Sequence, residues 1–205
     1  MKTLITQSLL ASFGYMFECP DEYADDAESD FIRTLNREPA EPTQAMQNGI
    51  DFERDVYRMA DGQQPSAARW ATGAGKIADI IRGSQIQVRM QREIRVNGND
   101  YLVYGIADAI HAGTIYDVKY SNRSFGSVDL YGKYNESPQH PAYFYLCPEA
   151  EKFQYIVSDG RDIYIETYEP QTSVGIWLFI EEFANYIEKY GLADIYRTKW
   201  GAKEC

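Results

Sequence analysis

Cysteine is scarce and scattered in this chain. Its 205 residues include only Cys19, Cys147 and Cys205, with no C-x-x-C pair, so a zinc ribbon is not indicated. An odd cysteine count with no signal peptide suits a reducing compartment, and the expected location is the cytoplasm. No apolar run approaches the roughly 20 residues of a membrane span, so no membrane partner is expected. There is no internal repeat and no low-complexity tract. Positive charge is also short: 20 Lys and Arg stand against 31 Asp and Glu, for a formal charge of −11 and a sequence pI near 4.7. That balance argues against a surface that attracts nucleic acid in bulk, because backbone binding relies on Lys and Arg. A nucleic-acid enzyme so acidic must gather its basic residues around a cleft, or depend on bound metal and a partner.

What is present is enough for a core. Hydrophobic residues make up 44% and aromatics 14% of the chain, with 17 tyrosines. These values indicate a globular chain of one domain, 1–205, rather than a disordered one.

The stretch from Tyr101 to Ser121, YLVYGIADAIHAGTIYDVKYS, carries the chemistry. It reads as two β-strands around a tight turn at Ala112-Gly113. Gly113 suits the positive φ of a two-residue hairpin loop. A turn symmetric about that bond pairs His111 with Thr114 and sets Asp108 opposite Asp117. Such residues share a face, with Cβ atoms about 4.5–5.5 Å apart, and like charges there repel. Lys119 projects to the same face, among Ile106, Ile110 and Ile115. Ionised carboxylates in that setting need a cation or hydrogen-bond donors, and two hard oxygen ligands suit Mg²⁺ or Mn²⁺. The competing reading is a solvated strand face with an ordinary Asp117–Lys119 surface pair.

The motifs GIAD (Gly105 to Asp108) and DVK (Asp117 to Lys119) resemble the core of the PD-(D/E)XK nuclease superfamily. Within it, the chain most resembles the RecB-like exonuclease branch, which adds a G-x-x-x-E helix upstream and a Q-x-x-x-Y helix downstream. Here these are Gly49-Ile50-Asp51-Phe52-Glu53 and Gln139-His140-Pro141-Ala142-Tyr143. The opening SLLASFGYMFECPDEY, from Ser8 to Tyr23, also resembles the first helix and Cys-Pro of RecB-like domains. The likeness runs from about residue 8 to about residue 146.

The resemblance implies an α/β fold with a restriction-endonuclease-like core, a mixed central sheet flanked by helices on both faces. It implies a Mg²⁺- or Mn²⁺-dependent deoxyribonuclease, an exonuclease of recombination, repair or phage DNA processing, encoded by a phage or mobile element. Asp108, Asp117 and the Val118 carbonyl become metal ligands, and Glu53 binds directly or through water. Lys119 orients the nucleophilic water; Gln139 and Tyr143 position substrate and catalytic groups. Arg123 and Lys133 become candidate phosphate contacts, and DNA the partner, with a helicase or recombinase beside it. Some RecB-like nucleases carry a four-cysteine iron–sulfur cluster. Cys19 matches a first ligand, but the carboxyl-terminal cysteines are missing, so no cluster is expected. Two other readings stand beside this one: a non-catalytic nuclease-like binding or regulatory subunit, consistent with the acidity, and a Holliday-junction resolvase of the same superfamily.

Taken in order, residues 4–16 have helical spacing, and Asp21–Asp30 reads as a solvated helix or loop followed by a connection through Pro42. A helix is expected from Pro42, at its first position, to Ala60. Its inward stripe is Met46, Ile50, Val56, Tyr57 and Ala60, with Glu53 on that stripe and Gly49 admitting a neighbouring backbone. Another helix spans Ala67–Ile81, weakened by Gly73 and Gly75. A strand over 85–96 turns at Asn97-Gly98 into Tyr101. Residues 122–135 read as a mobile polar loop over the site. Ser137-Pro138 looks like an N-cap and first helical position. A second hairpin lies around Asp159-Gly160, and a last helix over 171–190 stops at Gly191.

Overall fold

The described residues, 2–127 and 130–202 of this computed structural model, form six strands and seven α-helices. In chain order they are β1 (Thr3–Thr6), α1 (Gln7–Glu18), α2 (Ala24–Leu35), α3 (Gln44–Ala60), α4 (Ala71–Ile81), β2 (Gln85–Val96) and β3 (Asn99–His111). Then come β4 (Thr114–Tyr120), α5 (Gln139–Leu146), β5 (Lys152–Ser158), β6 (Ile163–Tyr168), α6 (Ile176–Lys189) and α7 (Ala193–Trp200). Cys205 lies outside the described residues.

Two tight turns generate the centre of the sheet. Asn97 and Gly98 have φ of 50° and 80°, and Ala112 and Gly113 have φ of 45° and 76°, the double left-handed conformation that matches strand twist. β2, β3 and β4 therefore meander. β5 adds parallel to β4 after the α5 crossover, β6 pairs antiparallel with β5, and β1 runs parallel to the first half of β3. The result is the expected mixed α/β arrangement, consistent with a restriction-endonuclease-like core. Two apolar layers hold it. Phe52, Val56, Trp70, Ile77 and Ile81 of the α3–α4 side pack on Ala109, Val118 and Ile156. On the other face Leu9, Phe13, Phe31, Tyr143, Phe183 and Trp200 pack on Val103, Ile115 and Phe153.

Several elements differ from the sequence expectation. Residues 3–6 are a strand rather than the start of a helix: β-branched Thr3, Ile5 and Thr6 pair with Tyr101, Val103 and Tyr104, and Thr6 Oγ1 then caps α1 by accepting from Leu9 N. The acidic stretch belongs to α2, which buries Ala27, Phe31 and Leu35 and continues to Leu35. α3 begins at Gln44 because Thr43 is its N-cap, leaving Pro42 outside. Its buried positions are Phe52, Asp55 and Val56, all in the carboxyl-terminal half; Met46 and Ile50 are 61% and 50% exposed. Nothing lies within 4 Å of a Cβ built on Gly49, so no backbone approaches there. At Gly73 the close approach is real: a Cβ would sit 2.2 Å from Ser158 Oγ and 2.8 Å from the Gly160 carbonyl carbon. Residues 128 and 129 of the expected loop lie outside the described residues; the described part of 122–135 is not wholly polar cover, since Leu130 is buried and Tyr134 stacks on Tyr155 with ring centres 4.1 Å apart. Pro138 itself occupies the N-cap of α5. The expected last helix is shorter, Ile176–Lys189, and α7 follows the turn at Gly191.

Candidate active site

The site lies where one edge of β3 changes partner. β1 takes that edge at Tyr101–Tyr104 and β4 takes it at Ala109–His111. Between them, backbone groups are satisfied by side chains, as buried backbone requires. Tyr143 of α5 donates its hydroxyl to the Ile106 carbonyl at 2.5 Å. The Val118 N–H donates to Asp108 Oδ2 at 2.7 Å. Gly105 has no side chain because α5 packs there; a Cβ would meet Leu146 and Tyr143 at 3.0 Å.

The hairpin register is His111↔Thr114, Ile110↔Ile115 and Ala109↔Tyr116. One step further, where the ladder opens, stand Asp108 and Asp117. Asp117 is buried; the Gln139 amide donates to its Oδ1. Its Oδ2 lies 2.8 Å from Lys119 Nζ yet receives no aligned hydrogen bond. At that distance the ammonium is the partner of Oδ2, and the ion pair holds whatever the alignment of its N–H. Glu53 reaches in from α3, where Tyr57 Oη donates to its Oε1 at 2.7 Å.

Gln87 belongs to the same cluster and was not expected from the sequence. Its amide Nε2 lies 2.9 Å from Tyr57 Oη, 3.2 Å from Glu53 Oε1 and 3.4 Å from Asp108 Oδ1. Gln87 sits mid-strand with φ 53°, a left-handed conformation that costs a non-glycine residue about 1–3 kcal/mol. The signal that finds it is the same counting applied to the first hairpin. Val96 pairs with Asn99, so stepping back from the Asn97-Gly98 turn puts Gln87 opposite Asp108.

Electrostatics follow from this crowding. Burial pushes the Asp108 carboxyl well above the usual range, and Asp117 and Glu53 push it further; the Val118 N–H and Lys119 oppose them. Glu53 is raised by burial, less so because of the Tyr57 hydroxyl, with Asp117 adding and Lys119 subtracting. Burial alone would lower Lys119, but Asp117 and Asp108 outweigh it and hold the ammonium above its ordinary pKa. Lys119 is therefore a hydrogen-bond donor here rather than a base. Three carboxylates against one ammonium leave excess negative charge in a largely buried setting, which calls for a cation or further donors. By their chemistry Asp108, Asp117 and Glu53 are hard oxygen ligands that suit a hard divalent cation, while among the described residues no three His, Cys, Asp or Glu side chains are already close enough together to hold one.

The structure brings Glu53, Asp108, Asp117, Lys119, Gln139 and Tyr143 together, with the Val118 backbone between the two aspartates. It does not bring Arg123 and Lys133 to them. Arg123 is exposed in a turn closed by Ser121 Oγ, and Lys133 is exposed beside Glu18 and Glu136, facing α1. His140 is a packing residue: it stacks on Tyr168 at 4.0 Å, and burial lowers its pKa to about 4. Cys19 is half-buried, and its thiol points to the Met16 carbonyl.

No family model matches the sequence, and no curated protein matches it significantly. Solved structures do. One is SSO0001, 17% identical, with a TM-score of 0.54 over 92% of this chain and 77% of that one. The fold is shared. Another is LHK-Exo, solved in complex with dAMP, 12% identical with a TM-score of 0.49 over 93% of this chain and 92% of that one. At such identities the likeness concerns the fold alone. No described helix is long and apolar enough to cross a membrane.

Proposed function

We propose that this protein is a metal-dependent deoxyribonuclease of the PD-(D/E)XK superfamily, an exonuclease of the RecB-like branch that hydrolyses DNA phosphodiester bonds. One observation carries the reading: Asp108 and Asp117 meet at the opening between β3 and β4 with Lys119 beside them, while α3 delivers Glu53 and α5 delivers Gln139 to the same point. Decoration of an ordinary strand face does not require polar side chains from both sides of the sheet.

Asp108 and Asp117, with the Val118 carbonyl and Glu53, would hold Mg²⁺ or Mn²⁺. When bound, such an ion supplies a lowered pKa for water and charge neutralisation at phosphorus. Gln139 fixes Asp117 through Oδ1, while Oδ2 is buried beside the Lys119 ammonium at 2.8 Å. Tyr143 fixes the β3 backbone two residues before Asp108. Lys119, held protonated by its acidic neighbours, donates to an anionic phosphate oxygen and orients the attacking water; it neither accepts nor relays a proton in this form. The balance of the reaction is hydrolysis: water adds to phosphorus and the ester oxygen leaves with a proton.

The test is incubation of the purified protein with linear and circular DNA, with and without Mn²⁺. Cleavage of the linear form is expected only with the ion, and is expected to vanish in Asp117→Ala and Lys119→Ala with the fold intact. Undiminished cleavage in both variants would remove the assignment. The charge of −11 favours one other reading, a nuclease-like binding or regulatory subunit. Cation binding lost in Asp108→Asn, without any cleavage by the wild type, selects that one.

A further inference from the structure

Four described residues other than glycine have positive φ: Arg37, Gln87, Asn97 and Ala112. Three have ordinary reasons. Asn97 and Ala112 occupy hairpin turns, and Arg37 follows the carboxyl end of α2. Gln87 alone sits inside a strand, and there the β2–β3 ladder skips a pair, running from Ile86↔Ala109 to Val88↔Ala107. A strained residue in an otherwise regular ladder persists only where its surroundings over-determine it. The residue it faces is Asp108.

The strained backbone has one evident use, to turn the side chain into the carboxylate cluster. Glu53 Oε1 and Asp108 Oδ1 can only accept hydrogen bonds when ionised. The amide nitrogen of Gln87, not its oxygen, must therefore point at them, and its two hydrogens serve those acceptors and Tyr57 Oη. Tyr57, one helical turn beyond Glu53, spends its own proton on the same Glu53 oxygen. Two donors thus converge on Glu53 Oε1, and one of them also reaches Asp108. A carboxylate on a helix and another on a strand, both repelled by Asp117, are tied by one amide.

We propose that Gln87, supported by Tyr57, is a positioning residue that sets the spacing of Glu53 and Asp108 for a divalent cation. The inference rests on the nuclease reading, since it supposes that these carboxylates share an ion. It assigns a role to two residues outside the motifs that suggested the site. Gln87 acts on the ion through the carboxylates it holds, as outer hydrogen-bonding partners do at metal sites, where their loss weakens binding about 10- to 100-fold.

Glycine at this position separates function from folding, because Gln87→Gly removes the amide and relieves the left-handed φ together. The measurements are calorimetric titration of the whole protein with Mn²⁺, without DNA, and thermal melting in EDTA. Gln87→Gly is expected to weaken Mn²⁺ binding at least tenfold while its melting temperature stays level or rises by about 1–4 °C. Gln87→Asn, which tolerates the backbone but carries a shorter amide, should melt like wild type and bind Mn²⁺ with intermediate affinity. Gln87→Gly binding Mn²⁺ within twofold of wild type overturns this inference alone. A melting temperature several degrees lower also overturns it, by making Gln87 a folding residue. Wild type that binds no Mn²⁺, or Asp117→Ala that binds it undiminished, overturns the nuclease reading and this one with it.

Discussion

Asp108 shows how a single buried carboxyl sets charge against stability. Its folded pKa lies above the value for a free aspartate, chiefly through burial and then through Asp117 and Glu53. The sign follows from linkage: between the unfolded and folded pKa values the native state binds more protons, so metal-free stability falls as pH rises through the folded value. Once ionised, the carboxylate is therefore a net cost without a cation. Asp108→Asn keeps an oxygen to accept from the Val118 N–H and removes the charge. In EDTA it is expected to melt about 2–4 °C higher than wild type, the shift that roughly 1 kcal/mol produces in a chain of this size, while losing Mn²⁺ binding. A lower melting temperature would mean that the carboxylates do not strain the fold. Asp108, Asp117 and Lys119 were legible because a two-residue turn fixes register and period 2 fixes the face. Gln87 was equally countable from Asn97-Gly98, but glutamine carries no preference for left-handed backbone, so nothing in its identity marked it.

At the scale of elements, the lesson lies in α3. Its sequence pattern suggests an inward stripe through Met46 and Ile50, yet both are exposed, and the helix is held instead by Phe52, Val56 and the buried Asp55. Glu53 reached the site for a different reason than the stripe supplied: it lies next to Phe52, which stacks on Tyr120 of β4 at 4.9 Å. Asp55 is the anchor that sequence reading passed over, because a lone aspartate on a helix usually faces water. Here its carboxylate accepts from Ser66 N at 2.9 Å, Ser66 Oγ at 2.8 Å, Ala67 N at 3.3 Å and Trp70 Nε1 at 2.7 Å. Burial would raise its pKa, but those donors outweigh it and keep the carboxyl ionised below its usual range. The network pins the 61–70 connection and hence α4 against α3. Asp55→Ala leaves the donors unpaired and is expected to cost about 2–4 kcal/mol, read as a lower denaturant midpoint at unchanged slope. A midpoint within error of wild type would show that water replaces the carboxylate freely. β1 and α7 escaped the sequence reading for related reasons: four residues are too few for a period, and α7 follows a glycine that looked like the end of the last helix.

Over the whole molecule, the acidity constrains how a nucleic acid can be held. Of the basic residues in β2, Arg92 donates to the Tyr145 carbonyl at 3.0 Å and lies over that ring, while Arg95 stands 3.8 Å from Asp100 Oδ1. Lys76 pairs with Asp162 and Lys2 with Glu93, and Lys119 is committed to the site. These cations are offset locally, and a formal charge of −11 over the chain works against displacing counterions from a phosphate backbone. Each phosphate neutralised by Lys or Arg contributes about 0.9 to the slope of log affinity against log salt on duplex DNA. A nuclease working through its own basic surface would give a slope of about six or more. For this protein the expected slope, measured by fluorescence anisotropy with Ca²⁺ present, is about three or less, and EDTA is expected to abolish binding rather than cleavage alone. The physical reason is that the carboxylates around Asp108 and Asp117 repel phosphate until a divalent ion reverses the local sign. Tight binding in EDTA with a steep salt slope would place the DNA contact on some other surface, and would detach recognition from the carboxylate site.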